Sequence, residues 1–133
     1  MSIYPRNLLL LSFLAFVLSV PVLAHHGAAA YDTSKMTTLT GTITDFQFIQ
    51  PHPLIFLDVK GANGNVTKWF VEMTAPNHLV HYGWSGRKLH PGQVIKVEGN
   101  AAKNGNKVLN LRHIFDSDGK EIPLGPPVLP GQS

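Results

Sequence analysis

The sequence predicts an all-β fold with one short helix, and three observations carry that reading. Short runs of alternating apolar and polar residues recur along the chain, each closed by a turn bearing glycine, asparagine or proline. A single helix-like interruption over residues 75–82 has Pro76 at a first-turn position and Gly83 just past its end. The first long strand also changes its buried face midway, with large apolar residues at odd positions from Leu39 to Ile43 and aromatic ones at even positions from Phe46. A strand can do this only at a bulge or sharp bend, expected at Thr44 and Asp45, and a bent first strand can serve two sheets at once. With the order strand, strand, strand, helix, strand, strand, these features predict a small five-stranded barrel of the oligonucleotide- and oligosaccharide-binding (OB) kind. A small sandwich or open meander is the rival architecture.

The chain starts with MSIYPRNLLLLSFLAFVLSVPVLA, in which Arg6 precedes an apolar run over residues 8–20, then Pro21, with Val22 and Ala24 at the small-residue positions before a cut. Residues 1–24 are therefore expected to be a signal peptide cleaved after Ala24, the run being short for a membrane span. The product is expected to be periplasmic or secreted, with no membrane contact after cleavage. A chain of 133 residues, 44% hydrophobic and 14% charged, fits one ordinary domain. The absence of cysteine excludes a lipoprotein anchor at the cut and any disulfide. The formal charge of +3 includes Arg6, so the remainder carries ten Lys and Arg against eight Asp and Glu, without long runs. On that ground no nucleic acid is expected among the partners.

After the leader, residues 25–38 (HHGAAAYDTSKMTT) lack sustained periodicity and are expected to form an N-terminal arm. The barrel domain follows over residues 39–124. Strand one covers 39–49 and ends in the turn QPHP, where the prolines push Gln50 and His52 toward extended backbone. Strand two, 54–60, puts Ile55, Leu57 and Val59 on one face and Leu54, Phe56 and Asp58 on the other. GANGN makes a turn, and strand three, 66–73, aligns Trp69, Val71 and Met73. The helix over 75–82 is expected to plug the barrel. Strand four, 94–99, turns Ile95 and Val97 inward, and strand five, 108–115, ends at an Asp118–Gly119 hairpin signal that lets residues 121–124 pair back. Residues 125–133 are expected to form a proline-rich extended tail. Ile43, Ile55, Leu57, Val71, Ile95 and Val97 are expected to share the core.

No nucleophile, P-loop or zinc-protease pattern is present, so no enzymatic activity is expected. The first functional reading is an exported binding module of unknown ligand. Its candidate site is a patch of Phe48, His52 and Phe56 beside the turn after strand one, with the loop residue Trp84 as a stacking surface. Trp69, on the core face, is expected to be mostly buried, and Glu72 to face solvent or pair with a lysine. The second reading is a metal-binding protein, because the chain holds seven histidines. Cleavage after Ala24 gives His25 a free amine beside its imidazole, and His25, His26 and His52 are the candidate donors, with copper the expected ion. His78 and His81 read as surface residues of the helix. A third reading is an accessory subunit that docks a protein partner.

The segments LTGTIT, PHPLIFLDVK, WFVE, APNHLV, GW and LHPGQVIKVEG, in this spacing, resemble a family of small exported bacterial proteins catalogued only as a domain of unknown function. Members look like AHHS at the mature start, then LTGTV, NPHxWIYLDV, WxVELGSPN, GW and LxPGDxVxVxG. Here these become AHHG, LTGTI, QPHPLIFLDV, WFVEMTAPN, GW and LHPGQVIKVEG, with Gly27 in place of the serine and Leu54 in place of the usual tryptophan. The resemblance spans almost the whole mature chain. It implies an exported, β-barrel-like domain and supplies no known activity.

Overall fold

Strand pairing closes the chain on itself. In the computed structural model, which describes residues 27–126, the strands are β1 (Thr37–Gln47), β2 (Leu54–Lys60), β3 (Val66–Glu72), β4 (Val94–Ala101) and β5 (Val108–Phe115). They form a closed barrel in the order β1-β2-β3-β5-β4, with β1 also pairing β4. All neighbours are antiparallel except β3 and β5, which run parallel over Phe70 to Glu72. This is the expected OB-type barrel. The leader, His25, His26 and residues 127–133 lie outside the described residues, and among the described residues no helix is long and apolar enough to cross a membrane.

The face switch in β1 has the predicted cause. Ile43 pairs with Leu57 and Asp45 with Phe56, so Thr44 is the extra residue of a bulge, and its Oγ1 donates to the Phe56 carbonyl at 3.3 Å. Before the bulge β1 pairs with β4, Thr37 to Thr42 against Gly99 to Val94, and from Thr42 onward it pairs with β2. Gly41 sits where the bent strand is pressed hardest, since a Cβ there would lie 2.6 Å from the Asp58 carbonyl oxygen and 2.8 Å from Leu57 Cγ. A second bulge, at Arg112 opposite Glu98 and Gly99, brings Gly99 against the Asn110 backbone, which again leaves no room for a side chain.

The inward parity delivers one core. Ile43, Ile55, Leu57, Val71, Ile95 and Val97 are all buried together, joined by Leu109 and Ile114 of β5. Between β3 and β4 the short helix α1 (Pro76–Leu79) starts with its proline and passes into a 3-10 turn, Val80–Tyr82, which Gly83 ends at φ 79°. Leu79 from α1 and Trp84 after it plug the barrel end. At the C-terminal side Phe115 bridges Glu121, and the Ile122 amide donates to the Ile114 carbonyl at 2.8 Å, the brief return pairing expected there.

The arm is docked rather than loose. Tyr31 bridges Ala102, the Asp32 amide donates to the Ala101 carbonyl at 2.8 Å, and the Lys103 amide donates to the Ala30 carbonyl at 3.0 Å. Asn100, only 6% exposed, clamps the next turn by donating from Nδ2 to the Asp32 and Lys35 carbonyls at 3.0 and 3.1 Å. Its Oδ1 accepts from Arg112 Nε at 3.0 Å. Ser34 donates to the Asp32 carboxylate from both hydroxyl and amide, which tightens the turn and holds that carboxyl below the usual range.

Candidate functional site

The arm lies along the end of β4 and reaches the outer face of β1, β2 and β3 through Tyr31, at Glu72. Paired residues share a side of a sheet, so the register arranges this face in rows. Gln47, Leu54 and Glu72 form one row, Asp45, Phe56 and Phe70 the next, and Thr42, Asp58 and Lys68 the third. The middle row carries the aromatics. The Phe56 and Phe70 rings meet edge to face at 5.2 Å with an interplanar angle of 75°, and Phe70 is 42% exposed. To one side Lys68 Nζ meets Asp58 Oδ1 at 3.2 Å. Asp45 spends its carboxylate on its own strand, accepting from the Phe46 amide and the Gln47 side chain, both at 2.8 Å.

At the other side the arm, β3 and the QPHP turn converge on one carboxylate. The Tyr31 hydroxyl donates to Glu72 Oε2 at 2.6 Å, and His52 Nε2 stands 3.7 Å from Glu72 Oε1. Burial first, then the bond to Glu72 and its charge, push the Tyr31 phenol well above its ordinary pKa. The turn is pinned through both polar groups of Met73, whose amide donates to the Pro53 carbonyl at 3.0 Å and whose carbonyl oxygen is 3.1 Å from His52 Nδ1.

Measured against the sequence reading, the structure brings His52 and Phe56 to one face but corrects the rest of the patch. Phe48 packs against the core cluster, its ring 6.1 Å from Phe46, because past the bulge the even positions, Phe46 and Phe48, turn to the core side with Ile55, opposite Phe56. Trp84 is not a stacking surface. It is 2% exposed, edge-on to Phe46 at 6.3 Å, and its indole N–H donates to the Pro123 carbonyl at 2.7 Å. A loop position gave no hint of this, since the partner carbonyl lies 39 residues away. Trp69 is only partly buried, on the core side of β3, with Lys107 Nζ 5.4 Å from its ring. Glu72 pairs with a tyrosine and a histidine rather than with a lysine. Phe70 was legible in principle, since it shares parity with Lys68 and Glu72 against Trp69 and Val71. Tyr31 carried no periodic signal at all. His25 and His26 lie outside the described residues, and among the described residues no group of three or more His, Cys, Asp or Glu is placed to hold a metal ion.

Comparison with known proteins fits the barrel into a family. The profile described as "Family of unknown function (DUF6152)" matches residues 14–110. The chain belongs to this family. No curated protein matches it significantly. Among solved structures, this family member is similar to the mitochondrial single-stranded DNA-binding protein Rim1 from S. cerevisiae, at 14% identity and TM-score 0.49, covering 62% of this chain and 94% of that one. It is also similar to the N-terminal domain of PriB from Thermoanaerobacter tencongensis, at 16% identity and TM-score 0.44, covering 68% and 98%. A third similarity is to TiaS in complex with a transfer RNA and ATP, at 21% identity and TM-score 0.47, covering 64% of this chain and 18% of that one. These likenesses concern the fold.

They also correct one expectation. The sequence reading set nucleic acid aside because the net charge is mild, yet a single-stranded DNA-binding protein stands among the structures this barrel resembles. The physical reason is that OB barrels hold single strands partly by stacking bases on aromatic side chains, about 1–3 kcal/mol per base, a contribution that net charge does not report.

Proposed function

We propose that this family member is an exported, non-enzymatic binding module whose ligand lies on the outer face of β1, β2 and β3. The observation that carries this reading is the Phe56–Phe70 pair, two rings left outside the core on the outer face of β2 and β3. An aromatic pair that packs on no core residue forgoes much of the stabilisation that burial would give it, about 1.5–3 kcal/mol per side chain, and a ligand with a flat ring restores it. Polar groups in the flanking rows, Asp58 with Lys68 and Glu72 with His52, supply the orienting hydrogen bonds around such a ring. Export rests on the leader read from the sequence.

Chemical-shift mapping tests the face with two probe sets, short oligosaccharides and short single-stranded oligonucleotides. Perturbation is expected at Phe56, Phe70 and their row neighbours, and Phe56→Ala or Phe70→Ala should weaken binding at least about fivefold, the loss of one stacking contact. A base-bearing ligand would show steep salt dependence, and a neutral sugar would not. Shifts confined to α1 and the barrel end at Trp84 would place the site elsewhere and defeat the reading.

A further inference from the structure

We propose that His52 and Glu72 form a binding site for a divalent transition-metal ion of the zinc class. The site borders the aromatic face and shares its flanking pair, but its failure would leave that reading intact because the Phe56 and Phe70 rings that carry it take no part in coordination. The starting point is the tautomer of His52. Its Nδ1 lies 3.1 Å from the Met73 carbonyl oxygen, and a carbonyl only accepts, so Nδ1 carries the proton. In the neutral ring Nε2 then presents a lone pair, and what it faces is a second acceptor, Glu72 Oε1 at 3.7 Å. The other carboxylate oxygen is already taken by the Tyr31 hydroxyl at 2.6 Å.

Two acceptors held 3.7 Å apart are satisfied by a cation bound to both. A second ring proton would supply one, but 3.7 Å is longer than a hydrogen bond. A zinc ion bound at about 2.0–2.1 Å to an imidazole nitrogen and a carboxylate oxygen, at a tetrahedral angle, holds those two atoms roughly 3.3 Å apart. The gap therefore closes by a few tenths of an ångström, a small rotation for a histidine whose side chain is 46% exposed and open to an entering ion. The surroundings are arranged as metal ligands usually are: a backbone carbonyl fixes the ring through its other nitrogen, and a phenol fixes the carboxylate through its other oxygen. Among the described residues the salt bridges give Glu72 no lysine or arginine to compete with the ion. No third His, Cys, Asp or Glu among them stands with the pair, so water completes the shell.

The test is zinc(II) titrated into the full exported chain labelled with nitrogen-15, read in long-range imidazole spectra. The His52 Nε2 resonance is expected to move with zinc while Nδ1 stays protonated. Glu72→Gln, which keeps an oxygen for the Tyr31 hydroxyl, should weaken binding at His52 about tenfold or more. Ring signals of His52 that stay in place at saturating zinc, even with zinc held elsewhere on the chain, overturn the proposal. So does a Glu72→Gln variant that binds zinc at His52 as tightly as the natural chain.

Discussion

Replacing Asn100 with alanine should release the N-terminal arm without unfolding the barrel. The side chain is 6% exposed and donates twice, to the Asp32 and Lys35 carbonyls, while accepting from Arg112. Each neutral hydrogen bond contributes about 0.5–1.5 kcal/mol net, so the two to the arm amount to about 1–3 kcal/mol. The third bond adds little, since Arg112 is exposed and regains water when Asn100 is cut back. The loss falls on the arm alone, because the core residues of β4, Ile95 and Val97, are untouched. Native-state hydrogen exchange reads it directly. Protection of the Asp32 and Lys103 amides, which tie the arm to the end of β4, should drop roughly 5- to 150-fold, while core amides such as Val71 change little. Unchanged protection at Asp32 and Lys103 would show that the bridge at Tyr31 holds the arm alone and that the Asn100 clamp is incidental.

Three further outcomes follow from the same geometry. Val97→Asp places an unpaired charge at a fully buried position of β4 and should destabilise by roughly 3–5 kcal/mol; a denaturation midpoint equal to that of the natural chain would contradict the inward parity. Gly41→Ala sets a Cβ 2.6 Å from the Asp58 carbonyl, so β1 must shift away from β2, at a cost of about 1–3 kcal/mol measured in urea. Tyr31 has a folded pKa raised above its unfolded value of 10.0, so the unfolded chain loses this proton first. Its stabilising contribution is complete below pH 10.0 and is lost as pH rises beyond it, whereas Tyr31→Phe should lack that alkaline fall; equal slopes in the two chains between about pH 9.5 and 11.5, followed by thermal melts, would refute the Tyr31–Glu72 bond.

How much was legible in the sequence follows from the range over which each interaction acts. Side-chain parity is a local property of extended backbone, so the switch between Ile43 and Phe46 placed the bulge at Thr44 and Asp45, and the alternation in β1 to β4 located six members of the core. Turn chemistry is equally local: Pro76 and Gly83 bounded the helical plug, and GANGN the hairpin. The family, too, could be read from the spacing of LTGTI, PHPLIFLDV and WFVE.

What the sequence could not carry was partnership between distant polar groups. Tyr31 meets Glu72 across 41 residues, Trp84 finds the Pro123 carbonyl across 39, and Asn100 holds the arm across 68. None of these pairs has a periodic signature, because a hydrogen bond needs only one donor and one acceptor to arrive at the same point, and barrel closure decides where that point is. The same holds for the two phenylalanines that sequence grouped and structure parted. Phe48 and Phe56 look alike in composition, yet a single extra residue at Thr44 sends one to the core side and leaves the other on the open face. The sequence by itself determined the strands, the bend and the apolar interior; closure of the barrel alone determined which aromatics stay outside and which residues meet at Glu72.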